Sequence, residues 1–228
     1  LDTRNLSDSE VIIYVMIAVA LCLIILQLAL DSYLAPVLML LNIGMAVLYN
    51  MGTNAFLGQT SYITKAISAV LQLGVTMDFA IFLYHSYKAE KEKVSNNDEA
   101  MATAIAKTLV SVLGSSLTTI AGFLALCSMN LTLGKDIGLV MAKGVLIGVI
   151  TAVTTLPAML LVFDKWVEKT KHKEILPRFE KVKNFNLKHY KAILVAFIVI
   201  LPFAVYGYTH TENYYNLSKS LPDTLNSI

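Results

Sequence analysis

The chain has 228 residues, of which 56% are apolar and only 15% are charged. A soluble domain usually carries about 25% charged residues, so too few charges are present to cover a water-facing surface. This composition excludes a soluble globular enzyme, a disordered chain and a nucleic-acid-binding protein that relies on a basic surface. The net charge of +2 excludes nothing by itself. Both cysteines, Cys22 and Cys127, lie in apolar runs, which argues against a disulfide framework or a metal site.

Six stretches of the chain are candidates for membrane-spanning helices, which need about 20 mostly apolar residues each. In chain order they are residues 11–30, 33–49, 62–84, 105–129, 137–163 and 192–209. We therefore expect an all-α, polytopic membrane helix bundle of six spans. Around the fifth span, Gly134-x-x-x-Gly138 and Gly144-x-x-x-Gly148 are typical of close helix contacts. Pro157 predicts a bend near the end of that span.

Positive charge is concentrated in two connections. Twelve of the 18 Lys and Arg residues lie in loops 88–100 and 164–191. The positive-inside rule places both loops in the cytoplasm, which leaves both ends of the chain outside, as six spans require. Because segment 164–191 is basic and weakly amphipathic, we interpret it as a helix on the inner membrane surface that meets anionic lipids. A solvated linker with a helical piece is the alternative interpretation.

Asp78 is the residue that indicates function most directly, because it is a carboxylate inside the third span. Such a group costs roughly 2.5–3.5 kcal/mol at the centre of a membrane helix, normally faces the bundle interior and marks an ion or proton path. We interpret Asp78 as a group that loads and unloads a proton. The alternative is a structural ion pair with a buried cation such as Lys143. Gly74 lies one turn before Asp78, where its missing side chain allows another helix to approach.

The fourth span supplies a polar face. Ser111, Ser115 and Thr119 recur every four residues, and Gly122 follows on the same face. Their hydroxyls could relay a proton through water, but Ser and Thr in spans more often bond their own backbone or join helices. No histidine offers itself as a base, because His85 lies at the cytoplasmic end of a span and the other histidines lie outside the bilayer, so we expect no serine nucleophile and no enzyme activity. We also expect no cofactor and no metal.

The chain resembles a known family in the order and spacing of several motifs. These are Gly74-Val-Thr-Met-Asp78-Phe-Ala-Ile-Phe-Leu-Tyr-His-Ser-Tyr, Asn97-Asp98-Glu99-Ala100, Gly114-Ser-Ser-Leu-Thr-Thr-Ile-Ala-Gly-Phe-Leu-Ala-Leu, the glycines Gly138, Gly144 and Gly148, and Thr155-Leu-Pro-Ala. Over nearly its whole length the chain resembles the MMPL-type transporters of the resistance–nodulation–division (RND) superfamily. Its G-x-x-x-D element also resembles that of Patched- and Dispatched-like proteins with sterol-sensing domains.

This resemblance implies one half of a twelve-span transmembrane domain, with the present chain as spans two to seven of a longer protein. The implied parts are the end of a first external domain (1–10), a five-span bundle of sterol-sensing type (11–163), a basic cytoplasmic segment (164–191), a sixth span (192–209) and the start of a second external domain (210–228). The resemblance further implies that Asp78 takes part in proton relay. The sequence departs from the family at Phe79, where a tyrosine or a second aspartate is usual.

The function expected from the resemblance is export of lipids or other hydrophobic or amphiphilic molecules across the cell membrane, driven by protons. The expected partners are therefore the substrate, protons and the second half of the transporter, but no nucleic acid. Two other interpretations stay open at this point. One is a module that senses or binds lipid or sterol-like molecules without transport, and the other is a membrane scaffold.

Overall fold

The computed structural model describes residues 2–56, 60–173 and 180–211. Within these ranges the regular secondary structure is helical. The described residues form no β-strand, only an isolated β-bridge between Ser32 and Lys171. The α-helices are α1 (Asp2–Ala29), α2 (Leu34–Thr53), α3 (Tyr62–Lys91), α4 (Asn97–Leu126), α5 (Thr132–Val153), α6 (Thr155–Val162), α7 (Asp164–Lys169) and α8 (Glu180–Thr209). A short 3₁₀ helix, Asn54–Phe56, follows α2. The prediction of an all-α membrane helix bundle is confirmed.

Five helical stretches in the described ranges are long and apolar enough to cross a membrane. They are Leu34–Phe56, Ile63–Lys91, Asn97–Leu126, Thr132–Val162 and Val182–Thr209. The first predicted span, 11–30, corresponds to the apolar part of α1, Ile13–Ala29, whose 17 residues make it shorter than the others. The structure thus supports five of the six predicted spans by length and composition, and it gives the remaining one as a shorter apolar helix. Residues 2–10, predicted to end an external domain, continue α1.

Local signals in the sequence explain where the long helices begin and bend. The Ser61 side chain accepts a hydrogen bond from the Ile63 amide at 3.3 Å, and the Asn96 side chain accepts one from the Asp98 amide at 3.0 Å. These side chains satisfy amides that have no partner in the first turn of a helix. The predicted bend near Pro157 is also present, because the helix breaks at Thr154, between α5 and α6. Proline lacks the amide hydrogen that a continuous helix needs.

Glycines of α5 allow neighbouring helices to approach closely. A Cβ atom added at Gly148 would overlap the side chain of Thr76 on α3. One added at Gly138 would lie 2.5 Å from the backbone oxygen of Phe123 on α4. One added at Gly144 would lie 2.5 Å from Nδ2 of Asn50 on α2. The close helix contacts predicted from the two glycine patterns are therefore present, and α5 lies between its three neighbours.

Each end of the bundle contains an aspartate that accepts hydrogen bonds from another helix or its cap. At one end, where α3 and α5 begin, the Asp136 carboxylate accepts a hydrogen bond from the Ser61 amide at 2.7 Å. At the other end, where α3 finishes and α7 follows α6, the Asp164 carboxylate accepts one from the Lys91 amine at 2.6 Å. We call these ends the Asp136 end and the Asp164 end.

The segment predicted as a separate surface helix, 164–191, begins inside the bundle instead. Asp164 is only 7% exposed, the Tyr33 amide donates to the Thr170 carbonyl at 3.2 Å, and the His172 amide donates to the Asp31 carbonyl at 2.8 Å. The two backbone hydrogen bonds join the start of the segment to the turn between α1 and α2. They also satisfy backbone groups that would be costly to bury without a polar partner. Residues 174–179 lie outside the described ranges.

The chain divides into two compact units between residues 175 and 176, and α8 belongs to the second unit. Within α8 the backbone departs from helical geometry at His189, with φ −117° and ψ 19°, and Pro202 lies further along. This break falls close to the predicted boundary between the basic segment and the sixth span. Of the predicted second external domain, 210–228, only residues 210 and 211 are described.

Candidate functional site

Asp78 lies near the middle of α3, 16 residues after its first residue and 13 before its last. It is exposed on the surface of this bundle, and so is Gly74, one turn earlier on the same face. A Cβ atom built on Gly74 would meet nothing within 4 Å. The expectation that Asp78 faces the interior of these helices is therefore wrong for this chain. It lies on a narrow exposed stripe of a helix that is otherwise mostly buried.

The packing of α3 explains this orientation. Gln72, Thr76 and Phe79 are all less than 5% exposed and face the other helices. Successive helical residues are separated by about 100°, so around the axis Asp78 lies about 120° from Gln72, and Gly74 lies about 160° from Gln72. Because these three buried residues point toward the neighbouring helices, the face of Gly74 and Asp78 is left uncovered by the helices packed around α3.

Phe79 anchors α3 instead of contributing a polar group. Its ring is 4% exposed and belongs to an apolar cluster with Val112 of α4 and with Val145 and Val149 of α5. A hydroxyl or carboxylate at this position would have to find a polar partner among these side chains. The departure from the family pattern at Phe79 is therefore accommodated by apolar packing.

Lys143 is not paired with Asp78 in the structure. Its amine donates hydrogen bonds to the backbone oxygen of Asn50, at 3.0 Å, and to Oδ1 of Asn54, at 2.5 Å. Both acceptors lie at the carboxyl end of α2, where the last carbonyls lack helical partners and where the helix dipole favours a cation. Lys143 thus caps α2, and among the described residues no ion pair joins it to Asp78.

The polar face of α4 is largely turned outward. Ser111 and Ser115 are exposed and Thr119 is half-buried. Ser115 Oγ donates to the Val112 carbonyl at 3.1 Å, and Thr119 Oγ1 donates to the Ser115 carbonyl at 2.9 Å. These hydroxyls bond their own helix, which is the common behaviour of Ser and Thr in spans. The described contacts do not join them to Asp78.

Sequence reasoning missed two aspartates that hold the Asp164 end together, and the first is Asp31, between α1 and α2. Its carboxylate accepts hydrogen bonds from the Tyr84 hydroxyl at 2.9 Å and from the Lys88 amine at 2.8 Å. Burial by itself would raise the pKa of Asp31, but the hydrogen bonds from Lys88 and Tyr84 outweigh it and hold that pKa below the usual value.

The second is Asp164, whose carboxylate accepts hydrogen bonds from the Tyr87 hydroxyl at 2.8 Å, from Lys91 at 2.6 Å and from the Asn97 amide group at 2.8 Å. The Lys91 amine also reaches Glu168 at 2.9 Å. The sequence carries one signal of this arrangement. Tyr84 and Lys88, and likewise Tyr87 and Lys91, are four residues apart, so each pair shares a face of α3.

The described residues do not bring together a cluster of metal ligands. They contain no group of three or more His, Cys, Asp or Glu side chains placed to hold a metal ion. The carboxylates at the Asp164 end are instead occupied by lysine, tyrosine and asparagine donors.

Comparison with known proteins places this arrangement in a family. The MMPL family matches residues 1–188. The putative membrane protein ActII-3 of Streptomyces coelicolor is 32% identical over 154 residues, which are 64% of this chain and 22% of that protein. The hopanoid transporter HpnN of Rhodopseudomonas palustris is 29% identical over 132 residues, 57% of this chain and 15% of that protein.

A third relative, the siderophore exporter MmpL5 of Mycobacterium tuberculosis, is 25% identical over 170 residues, 72% of this chain and 18% of that protein. The chain spans about a fifth of the length of these relatives. Since the family match covers most of the chain and includes all of α1 to α7, the protein belongs to the MMPL family.

Proposed function

We propose that this chain is part of a proton-driven exporter of lipids or other hydrophobic or amphiphilic molecules, and that Asp78 carries the proton. One observation carries the proposal: a carboxylate at the middle of a span-length helix lies on a stripe that the helices packed around α3 leave uncovered. The names of two relatives, a hopanoid transporter and a siderophore exporter, support a hydrophobic or amphiphilic cargo.

The uncovered stripe requires a protein partner in the membrane. A carboxylate that faced lipid at this depth would cost roughly 2.5–3.5 kcal/mol, and intramembrane acids almost always face protein or a water-filled cavity. Gly74, which has no side chain, leaves room for a helix beside Asp78. The second half of the transporter is the partner that fits, and it would bury Asp78 at the interface between the halves.

Proton binding at that interface would drive the transport cycle. Protonation removes the charge of Asp78, so the two halves can pack more closely around it, and release of the proton reverses this change. An inward proton gains about 2.3 kcal/mol per 100 mV of membrane potential. That energy would bias a rocking motion of one half against the other.

The orientation that accompanies this proposal places the Asp164 end in the cytoplasm. The positive-inside rule supports it, because loop 88–100 and segment 164–191 carry most of the positive charge. Both ends of the chain are then external, the protein is a multi-pass protein of the cell membrane, and basic side chains after the bundle meet anionic headgroups.

The experiment that tests this function replaces Asp78 by Asn in the full-length protein. Asn keeps the size and hydrogen-bonding capacity of the side chain but cannot exchange a proton near neutral pH. We expect proton-dependent export to be lost while the amount of protein inserted in the membrane stays unchanged. Transport of a fluorescent or radiolabelled amphiphile into inverted vesicles, with and without a proton gradient, measures this effect.

Asp98→Asn is the matched control, because Asp98 is an exposed carboxylate in the first turn of α4, near the Asp164 end. It should transport at the normal rate. Undiminished, proton-dependent export by Asp78→Asn would contradict the proposal. If the wild-type protein and Asp78→Asn both bind lipid independently of the proton gradient and neither transports it, a sensing module is favoured instead. If neither protein transports and cells carrying Asp78→Asn have the wild-type phenotype, a scaffold is favoured.

A further inference from the structure

A row of polar side chains on α3 leads from the Asp136 end into the interior of the bundle. Thr64, Ser68 and Gln72 recur every four residues and therefore lie on one face of the helix. Each is at most 1% exposed. Burial of three polar side chains in a membrane bundle is costly unless each finds a hydrogen-bond partner.

The row begins at an open cavity of about 560 Å³ at the Asp136 end, lined by Ser61, Asp136 and Leu139 among other residues. The Asp136 carboxylate in the cavity wall also accepts a hydrogen bond from Thr64 Oγ1 at 2.6 Å. The first side chain of the row is thus in direct contact with the wall of a space that water can enter.

The row ends about 12 Å deeper, since eight helical residues separate Thr64 from Gln72 at a rise of about 1.5 Å each. Gln72 Oε1 accepts a hydrogen bond from Asn50 Nδ2 of α2 at 2.8 Å, and Gln72 Nε2 donates to the Gly144 carbonyl of α5 at 3.1 Å. Asn50 and Gln72 are completely buried. The amide groups of two side chains therefore meet where three helices come together.

Two oxygens beside this junction have no partner among the described residues. They are Ser68 Oγ, one turn before Gln72, and Asn50 Oδ1. A buried polar group left without a hydrogen bond costs about 1–3 kcal/mol, and native proteins usually satisfy such groups with an internal water. Lys143, whose amine lies 3.0 Å from the Asn50 carbonyl, places a positive charge nearby, so a water fits this site better than a cation does.

We propose that Asn50, Ser68 and Gln72 form an internal water-binding site that is supplied from the cavity beside Asp136. Water held there donates to the free oxygens of Asn50 and Ser68. The site is separate from the Asp78 stripe, because Asp78 lies about 120° around α3 from Gln72 and about 9 Å further along the helix. Solvent thus enters this half of the bundle on a different face of α3 from the one where the second half is expected.

The test uses D₂O as the probe and a cysteine thiol as the reporter. In the full-length protein in lipid nanodiscs, with Cys22, Cys127 and any other cysteine replaced by Ala, a single Ser68→Cys substitution places a thiol at the site. Infrared spectroscopy then follows exchange of its S–H for S–D after transfer to D₂O. Leu73→Cys is the control, because Leu73 is 8% exposed and lies in the apolar core five residues further along α3.

We expect the Ser68→Cys thiol to exchange on the order of tenfold or more faster than the Leu73→Cys thiol, because a dry thiol exchanges only through local opening. Gel filtration and thermal unfolding check that each variant folds. If Ser68→Cys does not fold, Asn50→Cys reports on the same site from α2. Exchange at Ser68 or Asn50 that is as slow as at Leu73 would overturn the proposal.

Discussion

Asp78 and Asp164 are both carboxylates of one membrane bundle, and their surroundings are opposite. Asp164 is 7% exposed and accepts hydrogen bonds from Tyr87, Lys91 and Asn97. Asp78 is exposed at the middle of α3, beside a glycine with open space around it. The Asp164 carboxylate is fully hydrogen-bonded and holds helices together. The Asp78 carboxylate lacks such partners among the described residues, so within the membrane it requires a further protein surface or water to contact it. We therefore expect substitutions at the Asp164 end to change stability and substitutions on the Asp78 stripe to change transport.

The largest expected change in stability follows from Asp164→Ala. This variant leaves the Lys91 amine and the Tyr87 hydroxyl without their shared acceptor, and breaking a buried ion pair from one side costs about 3–5 kcal/mol. We expect a matching fall in the free energy of unfolding, measured by chemical denaturation in detergent. Glu168→Ala is the control, because the Glu168 side chain contacts the same Lys91 but is 42% exposed. Its cost should stay below about 1 kcal/mol, and an equal loss in both variants would contradict the assignment.

A smaller effect is expected from Gly148→Ala at the contact between α5 and α3. The added methyl group would overlap Thr76, and overpacking of this kind costs about 1–3 kcal/mol. Thermal unfolding of the purified protein should show a lower midpoint. Gly122→Ala, where a Cβ atom meets nothing within 4 Å, should be neutral or raise stability by up to about 1 kcal/mol. Indistinguishable midpoints for the two variants would mean that α5 and α3 are not in close contact.

The pH dependence of stability should reveal the ion pairs at the Asp164 end. Hydrogen bonds from Lys91 and Lys171 lower the pKa of Glu168, and those from Lys88 and Tyr84 lower that of Asp31. A lowered pKa in the folded state means that the stabilisation is complete above the unfolded pKa of about 4 and is lost as the pH falls below it. We expect the unfolding midpoint to fall between pH 5 and pH 3. Asp31→Asn should make this fall less steep. An unchanged slope would show that Asp31 does not contribute to the pH dependence of stability.

The smallest change in stability is expected on the Asp78 stripe, at Gly74→Ala. A methyl group there meets nothing in this half of the bundle, so the free energy of unfolding of this half should change by no more than about 1 kcal/mol. Transport should nevertheless fall, because the methyl group would separate the two halves that we propose to meet beside Asp78. Normal transport by Gly74→Ala would show that no helix approaches closely at this position.

The sequence predicted the helices well because their signals are local. Apolar runs, the glycine pairs of α5 and Pro157 each act within a few turns, and all of them correspond to observed features. The rotation of α3 could not be predicted in this way. Polar residues lie on two of its faces, Gln72 and Thr76 on one and Asp78 on another, so periodicity alone does not decide which face is buried.

The hydrogen-bond and ion-pair partners of the charged residues could not be predicted from the sequence either. Asp31 and Tyr84 are 53 residues apart in the chain, and Asp164 and Tyr87 are 77 apart. Hydrophobic periodicity carries no information on which donor meets which acceptor over such separations. The alternative interpretation, an ion pair of Asp78 with Lys143, could not be decided from the sequence for the same reason. Lys143 instead reaches the end of α2, where the free carbonyls and the helix dipole favour a cation.

Infrared difference spectroscopy of the full-length protein tests the role of Asp78 most directly. Acidification of the sample should produce the carbonyl band of a protonated carboxyl group in a protected environment, and this band should grow as the proton concentration rises. We expect the band to be absent from the spectrum of Asp78→Asn and present in that of Asp98→Asn. A band of equal intensity in Asp78→Asn would contradict the claim that Asp78 carries the proton.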